Sequence, residues 1–322
     1  MARSYRLTLF ATVFLLLCAP RLPAQAGPTL EQILSAPFPT ELLAAPMGGK
    51  LAWVQNTRGV RNLWVAEPPG YRGRQVTRYD KDDGQGIGGL EWTPDAKALV
   101  YVRGGGPNGR GDVPNPTSDP AGAEQAVWRV ALDGEPVKIG NGTGAVVSPR
   151  GDGVAFARGG QIWWAPLDGS SEPRQWTRAR GGARSLRWSP DGARLAFVSA
   201  RGDHSFIGIY DVTGKALRWI SPSVDRDDEP VWSPDGKRLA FLRQPANSKV
   251  TLFYSERAGH PWSILVADAA SGEAKTVWSA KTHRRSSSAS SRSWRVRRGR
   301  AQRQGARAST QPVPGSCCCT RR

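Results

Sequence analysis

A ten-residue block occurs twice in this chain, 44 residues apart, and it limits what the chain can become. Trp188-Ser189-Pro190-Asp191-Gly192-Ala193-Arg194-Leu195-Ala196-Phe197 returns as Trp232-Ser233-Pro234-Asp235-Gly236-Lys237-Arg238-Leu239-Ala240-Phe241. Weaker copies are Trp92-Thr93-Pro94-Asp95 with Leu99-Val100-Tyr101, and Ser148-Pro149-Arg150-Gly151 with Val154-Ala155-Phe156. The most decayed begins at Pro46 and reaches Leu51-Ala52-Trp53 at the same offset. The prolines fall at 46, 94, 149, 190 and 234, with spacings of 48, 55, 41 and 44. A period of this size marks stacked supersecondary units.

Each copy has one internal plan. A short apolar strand enters the proline turn and a second leaves it. A third follows at 62–66, 127–132, 162–167, 207–212 or 263–268, and a fourth at positions such as 172–177 or 216–220. Four antiparallel strands in roughly 40–45 residues make one propeller blade. The expected fold is therefore all-β, a β-propeller of about five four-stranded blades.

The turn dictates its own residue types. Proline presets φ, aspartate bonds the nearby backbone, and glycine takes φ > 0 without a steric penalty. Pro94, Asp95, Pro149, Pro190, Asp191, Gly192, Pro234, Asp235 and Gly236 are accordingly read as turn formers, and Asp95, Asp191 and Asp235 are not read as catalytic acids. Trp92, Trp188 and Trp232 share one repeat position, which points to packing between blades. A buried ring hides about 150–250 Å², or roughly 4–6 kcal/mol gross. Trp163-Trp164 should put at least one ring in the core. The insertion at 104–125, rich in Gly, Pro and Asn, is a long loop, and long loops are often functional.

Residues 1–26 have the three parts of a secretory signal: Arg3 and Arg6, an apolar run at 7–17, and Ala24-Gln25-Ala26 as the cleavage site. The run is too short to span a bilayer. The expected product is secreted or periplasmic, with no membrane association after cleavage. The formal charge of +18 is uneven. Residues 281–322 hold twelve Lys or Arg and no acid, the first 26 residues hold three Arg, and +3 remains for residues 27–280. That balance gives no basis for a nucleic-acid partner. Residues 19–316 contain no cysteine, and Cys317, Cys318 and Cys319 lack the spacing of a metal or redox site.

The common catalytic motifs are missing. There is no Gly-x-Ser-x-Gly elbow, phosphate loop or His-Glu-x-x-His, and no dinucleotide fingerprint in a strand-to-helix setting. His204, His260 and His283 form no defensible triad in sequence. No catalytic residue, metal or cofactor is assigned. Two acidic groups remain: Asp80, Asp82 and Asp83, then Asp225, Asp227, Asp228 and Glu229. Both are read as preceding a blade's first strand, where they either form solvated loops or hold a substrate amine or a cation near the propeller axis.

The Trp-Ser-Pro-Asp-Gly block resembles the blade motif of TolB-like propellers. Ser35-Ala36-Pro37-Phe38-Pro39, Gly59–Ala66 and Asn115-Pro116-Thr117-Ser118-Asp119-Pro120 narrow the likeness, as do Arg201–Gly208 and Ser223-Val224-Asp225-Arg226-Asp227. Together they resemble the N-terminal propeller of bacterial prolyl-oligopeptidase-family serine peptidases, of the dipeptidyl-peptidase and acylaminoacyl-peptidase type, over roughly residues 28–280. The resemblance implies a propeller that gates access to a hydrolase domain, admits short peptides, and belongs to a seven- or eight-bladed parent. The paired-glutamate amine grip of the dipeptidyl peptidases is unmatched.

The expected organisation is a signal at 1–26, a lead-in at 27–45, blades at 46–280 and a basic, disordered tail at 281–322. No further proline turn follows at the expected 275–289. The tail is read as a shifted reading frame replacing a missing hydrolase domain, or as a genuine basic segment. Two functions stay open: the gating portion of a secreted serine peptidase, catalytically incomplete as written and partnered by peptides or a hydrolase domain, and a free-standing TolB-like periplasmic propeller that binds proteins or peptides.

Overall fold

The computed structural model describes residues 27–108, 110, 112–246 and 261–280. The signal, the tail, His260 and His283 lie outside the described residues. A five-residue helix, α1 (Leu30–Leu34), starts the described chain. It is fixed by a reciprocal cap in which Gln32 N–H donates to Thr29 Oγ1 and Thr29 N–H donates to Gln32 Oε1.

Twenty strands follow in five antiparallel groups of four. Blade 1 holds β1 (Phe38–Ala44), β2 (Leu51–Thr57), β3 (Val60–Ala66) and β4 (Arg74–Gln75). Blade 2 holds β5 (Ile87–Trp92), β6 (Ala98–Arg103), β7 (Ala126–Ala131) and β8 (Pro136–Asn141). Blade 3 holds β9 (Thr143–Val147), β10 (Gly153–Arg158), β11 (Gln161–Pro166) and β12 (Arg174–Gln175). Blade 4 holds β13 (Gly182–Trp188), β14 (Arg194–Ala200), β15 (Ser205–Asp211) and β16 (Ala216–Ile220). Blade 5 holds β17 (Arg226–Trp232), β18 (Arg238–Gln244), β19 (Ser263–Asp268) and β20 (Ala274–Ser279). A single parallel pairing, Ser205 with Arg226, ties blade 4 to blade 5. The first strand of blade 1 comes from the segment read as lead-in, because Phe38–Ala44 pairs with β2. The short β12 begins after Pro173, which has no N–H to donate.

The second strands explain the core. In β6 all of Ala98 to Val102 are buried. Side chains alternate across a strand, so Leu99 and Tyr101 pack with blade 1 residues such as Val54 and Leu63, whereas Val100 and Val102 pack with Val154 and Phe156 of blade 3. Ala155 and Ile162 meet Leu186 and Phe197 across the next boundary, and Val198 and Ile207 meet Leu239 and Phe241 across the last. Each apolar cluster bridges two blades, so a blade cannot bury its faces alone.

The repeated tryptophans hold these boundaries with hydrogen bonds as well as area. Trp92 Nε1 donates to the Leu43 carbonyl of blade 1 at 3.4 Å. Trp188 Nε1 donates to the Val146 carbonyl of blade 3 at 3.1 Å, and Trp232 Nε1 to the Arg187 carbonyl of blade 4 at 3.0 Å. Trp163 and Trp164 differ from expectation, since both are only half-buried. Trp164 stacks on Trp176 at 5.9 Å under the Arg174 guanidinium, while Trp163 lies beneath Arg158 at the edge of a core cluster. The two guanidinium groups complete the covering of the rings.

Candidate site along the first strands

The first strands pack on one another in chain order: β1 on β5, β5 on β9, β9 on β13 and β13 on β17. They are thus the strands nearest the axis. Each has a register shift against its neighbour, and each shift carries one residue with left-handed backbone. These residues are Glu41, Gly89, Gly144, Ser185 and Glu229, with φ of 54°, 62°, 60°, 52° and 53°. Their numbers lie five before the prolines at 46, 94, 149, 190 and 234, so one β-bulge recurs in all five blades. A bulge bends its strand and re-aims the side chains after it.

Two positions beyond the bulge stand Leu43, Glu91, Val146, Arg187 and Val231. Three are apolar, and the two charged ones oppose in sign. Burial pushes the Glu91 carboxyl above its ordinary value, and the Arg187 guanidinium pulls it partly back. Among the described residues Glu91 makes no side-chain hydrogen bond or ion pair at contact distance. Within the same set the Arg187 side chain donates only to the Leu186 carbonyl. One position before the bulge, Arg184 of blade 4 donates to both Asp228 oxygens of blade 5 at 2.7 Å.

The acidic residues named from sequence are divided among arginines. Asp82 pairs with Arg61 at 3.6 Å, and Asp83 pairs with Arg103, whose guanidinium also covers the Tyr79 ring. The Tyr79 and Tyr101 hydroxyls share a 2.7 Å hydrogen bond beside them, and burial pushes both phenols up. Asp80 is exposed. Asp227 is fully buried and accepts from Arg243 Nε at 2.7 Å and Nη2 at 2.9 Å, while Nη2 also reaches the Ser221 carbonyl. This two-point pair keeps Arg243 protonated. Asp225 caps locally on Ser223 through its N–H. Glu229 is exposed on its bulge and has no ion pair among the described residues.

Only Asp225 of the second group precedes its strand. Asp227, Asp228 and Glu229 lie within β17, which corrects the loop reading. A strand accepts three successive acids here because alternate faces find separate arginines, Arg243 and Arg184. The clusters therefore do not form two free carboxylate patches, and among the described residues no group of three His, Cys, Asp or Glu is placed to hold a metal ion.

The 104–125 loop closes over the Asp83–Arg103 pair. Asn115 Oδ1 accepts from Asp119 N–H, Gln85 Nε2 donates to the Pro114 carbonyl, and a cavity of about 130 Å³ remains between Asp83, Arg103, Asn115 and Trp128. Gly104 at its neck has φ of 110°, and a Cβ there would overlap the Glu124 carbonyl. His204 is half-buried beside Phe206, with Nδ1 2.6 Å from Asp203 Oδ1.

Glu91, Arg184 and Arg187 were not singled out from sequence. The signal lay in the repeat register, where Glu91 and Arg187 interrupt an otherwise apolar position.

No family model and no curated protein sequence matches the chain. Solved structures show the fold. A Bacteroides ovatus protein assigned as a dipeptidyl aminopeptidase IV overlays with a TM-score of 0.53 at 10% identity, over 74% of this chain and 40% of that one. Hydrazine synthase of Kuenenia stuttgartiensis overlays with a TM-score of 0.52 at 18% identity, over 79% of this chain and 68% of that one. TolB from Acinetobacter baumannii is similar over 76% of this chain and 55% of that one, at 16% identity and a TM-score of 0.48. The chain thus spans well under two thirds of the aminopeptidase and of TolB. Among the described residues no helix is long and apolar enough to cross a membrane.

Proposed function

We propose that the chain is the substrate-gating propeller of a secreted serine peptidase of the prolyl-oligopeptidase family, and that it takes short peptides along its first strands. The observation that carries this reading is the pair of opposite charges at one repeat position, Glu91 and Arg187, neither used by an ion pair at contact distance. A short peptide has a cationic amine and an anionic carboxylate. Glu91 is half-buried, so it holds an amine more strongly than a surface carboxylate would because less water screens it, whereas Arg187 meets the carboxylate as an exposed cation. Glu229, exposed on the last bulge, offers a second carboxylate for the amine. Asp82, Asp83, Asp227 and Asp228 position the surrounding backbone through their arginines. The sequence blocks shared with peptidase propellers and the fold shared with the Bacteroides ovatus protein support the same assignment. Export rests on the signal-like first 26 residues.

Titration calorimetry of the purified chain with tri- to pentapeptides tests it. Free-ended peptides should bind, and Glu91→Gln and Arg187→Met should each weaken binding by about tenfold, the equivalent of ~1.4 kcal/mol. Acetylation should mimic the first variant and amidation the second. Equal binding of free and doubly blocked peptides would sink the assignment of these residues. Binding of a folded envelope protein with no peptide binding would favour the TolB-like alternative, which rests on the Trp-Ser-Pro-Asp-Gly repeat.

A further inference from the structure

The blade boundary has a direction, and the described blades leave both of its halves open. The residue just after each bulge faces the preceding blade. Leu90, Ala145 and Leu186 are 7%, 4% and 2% exposed there, whereas Leu42 of blade 1 is 71% exposed. The next residue faces the following blade, and Val146 is 8% exposed where Val231 of blade 5 is 58% exposed. Among the described residues, the large apolar side chains that stand exposed lie in blade 1 with its lead-in or in blade 5, Phe38, Met47 and Trp278 among them, except Val137 of blade 2 and Val224 of the connection between blades 4 and 5.

The polar half of the boundary is equally directional. Arg194 of blade 4 donates through Nη2 to the Gly236 carbonyl of blade 5 at 2.7 Å and lies over the Trp232 ring. Pro190 packs on Gly236, as Pro94 packs on Gly151 two boundaries earlier. Blade 5 repeats the giving side: Pro234 and Arg238 hold the positions of Pro190 and Arg194, and the Arg238 side chain makes no hydrogen bond among the described residues. Blade 1 repeats the receiving side: Gly48 holds the Gly236 position with φ of 74° against 66°, and among the described residues no hydrogen bond reaches its carbonyl.

We infer that the blade 5 face of one chain docks on the blade 1 face of a second copy, head to tail, with Val231 meeting Leu42 and Arg238 reaching the Gly48 carbonyl. A second copy is the occupant because both halves of a working boundary are present in one sequence. Residues 281–322 are a poor substitute, since their twelve Lys or Arg and no acid would face Arg238. Association of this kind is heterologous, so it adds copies in one direction and stops only if the ring closes.

Light scattering behind size exclusion, on the full chain and on two exposed-site variants, tests this. The unaltered chain should grow in mass with concentration. Val231→Glu spoils one face and Leu42→Glu the other, so each alone should be monomeric. Mixing them should restore a 1:1 dimer that grows no further, because one good face of each kind remains. Restoration also shows that both variants fold. A chain that stays monomeric, growth that survives both substitutions, or a mixture that stays monomeric would overturn the inference. So would growth that is lost on removing residues 281–322 yet kept in Val231→Glu, which would assign the contact to the tail.

Discussion

In the blade 4 turn the Ser189 hydroxyl donates to Asp191 Oδ1 at 2.5 Å, and Ala193 N–H donates to the same oxygen at 3.0 Å. Thr93 with Asp95 and Ser233 with Asp235 repeat the hydroxyl contact at 2.6 and 2.5 Å. These hydroxyls first, with the backbone N–H groups of the turn, hold the three carboxyls below their ordinary 3.8 against an opposing effect of burial. A carboxyl depressed in the folded state stabilises it above the unfolded value and withdraws that support as pH falls through the folded value. Thermal midpoints should therefore hold above pH 3.8 and drop as the solution is made more acidic. Asp191→Asn keeps an acceptor oxygen without a charge, so its midpoint should lie below that of the unaltered chain near neutrality and converge on it in acid. Parallel curves would exclude Asp191 as a source of the drop. The residue types of the turn were legible in the sequence because their reasons are local. The bulge was not, since Glu41, Ser185 and Glu229 are residues that seldom adopt a positive φ.

Among the elements, the first strands do most to join blades. Trp188→Phe retains a ring but removes the donor to Val146, and should cost about 1–2 kcal/mol in a denaturant titration. Trp232→Phe should cost more, because the Arg194 guanidinium over its ring loses part of its attraction. Trp92→Phe should cost least, its bond being the longest of the three. A reversed order would show that ring area rather than the indole N–H sets the boundary. The strand plan was readable because apolar alternation and proline turns are short-range signals. Asp227 to Glu229 defeated it: their charges suggest a solvated loop, and the reason they form a strand, Arg243, stands 16 residues further on. Glu91 and Arg187 were hidden differently. Each is ordinary by itself, and only superposing the five copies on their prolines shows that they share one position.

At the scale of the molecule, no substantial contact among the described residues links β17 back to β1. Blades 2, 3 and 4 are held by two boundaries each, and blades 1 and 5 by one. In such a linear array stability is close to a sum over neighbouring pairs. Amide hydrogen exchange in dilute solution should find β2 and β18 less protected than β6, β10 and β14, and protection that is uniform across all five would contradict this. The gap between ends and middle should narrow as copies associate. The bulge in every first strand adds a last consequence. Because it sits at one offset from the proline, the stretch from one bulge to the next is a transferable cassette with matching ends. Removing or duplicating such a cassette changes how many boundaries the chain contains while the backbone ends still match, and the side chains of the newly apposed faces, which differ from blade to blade, must then repack.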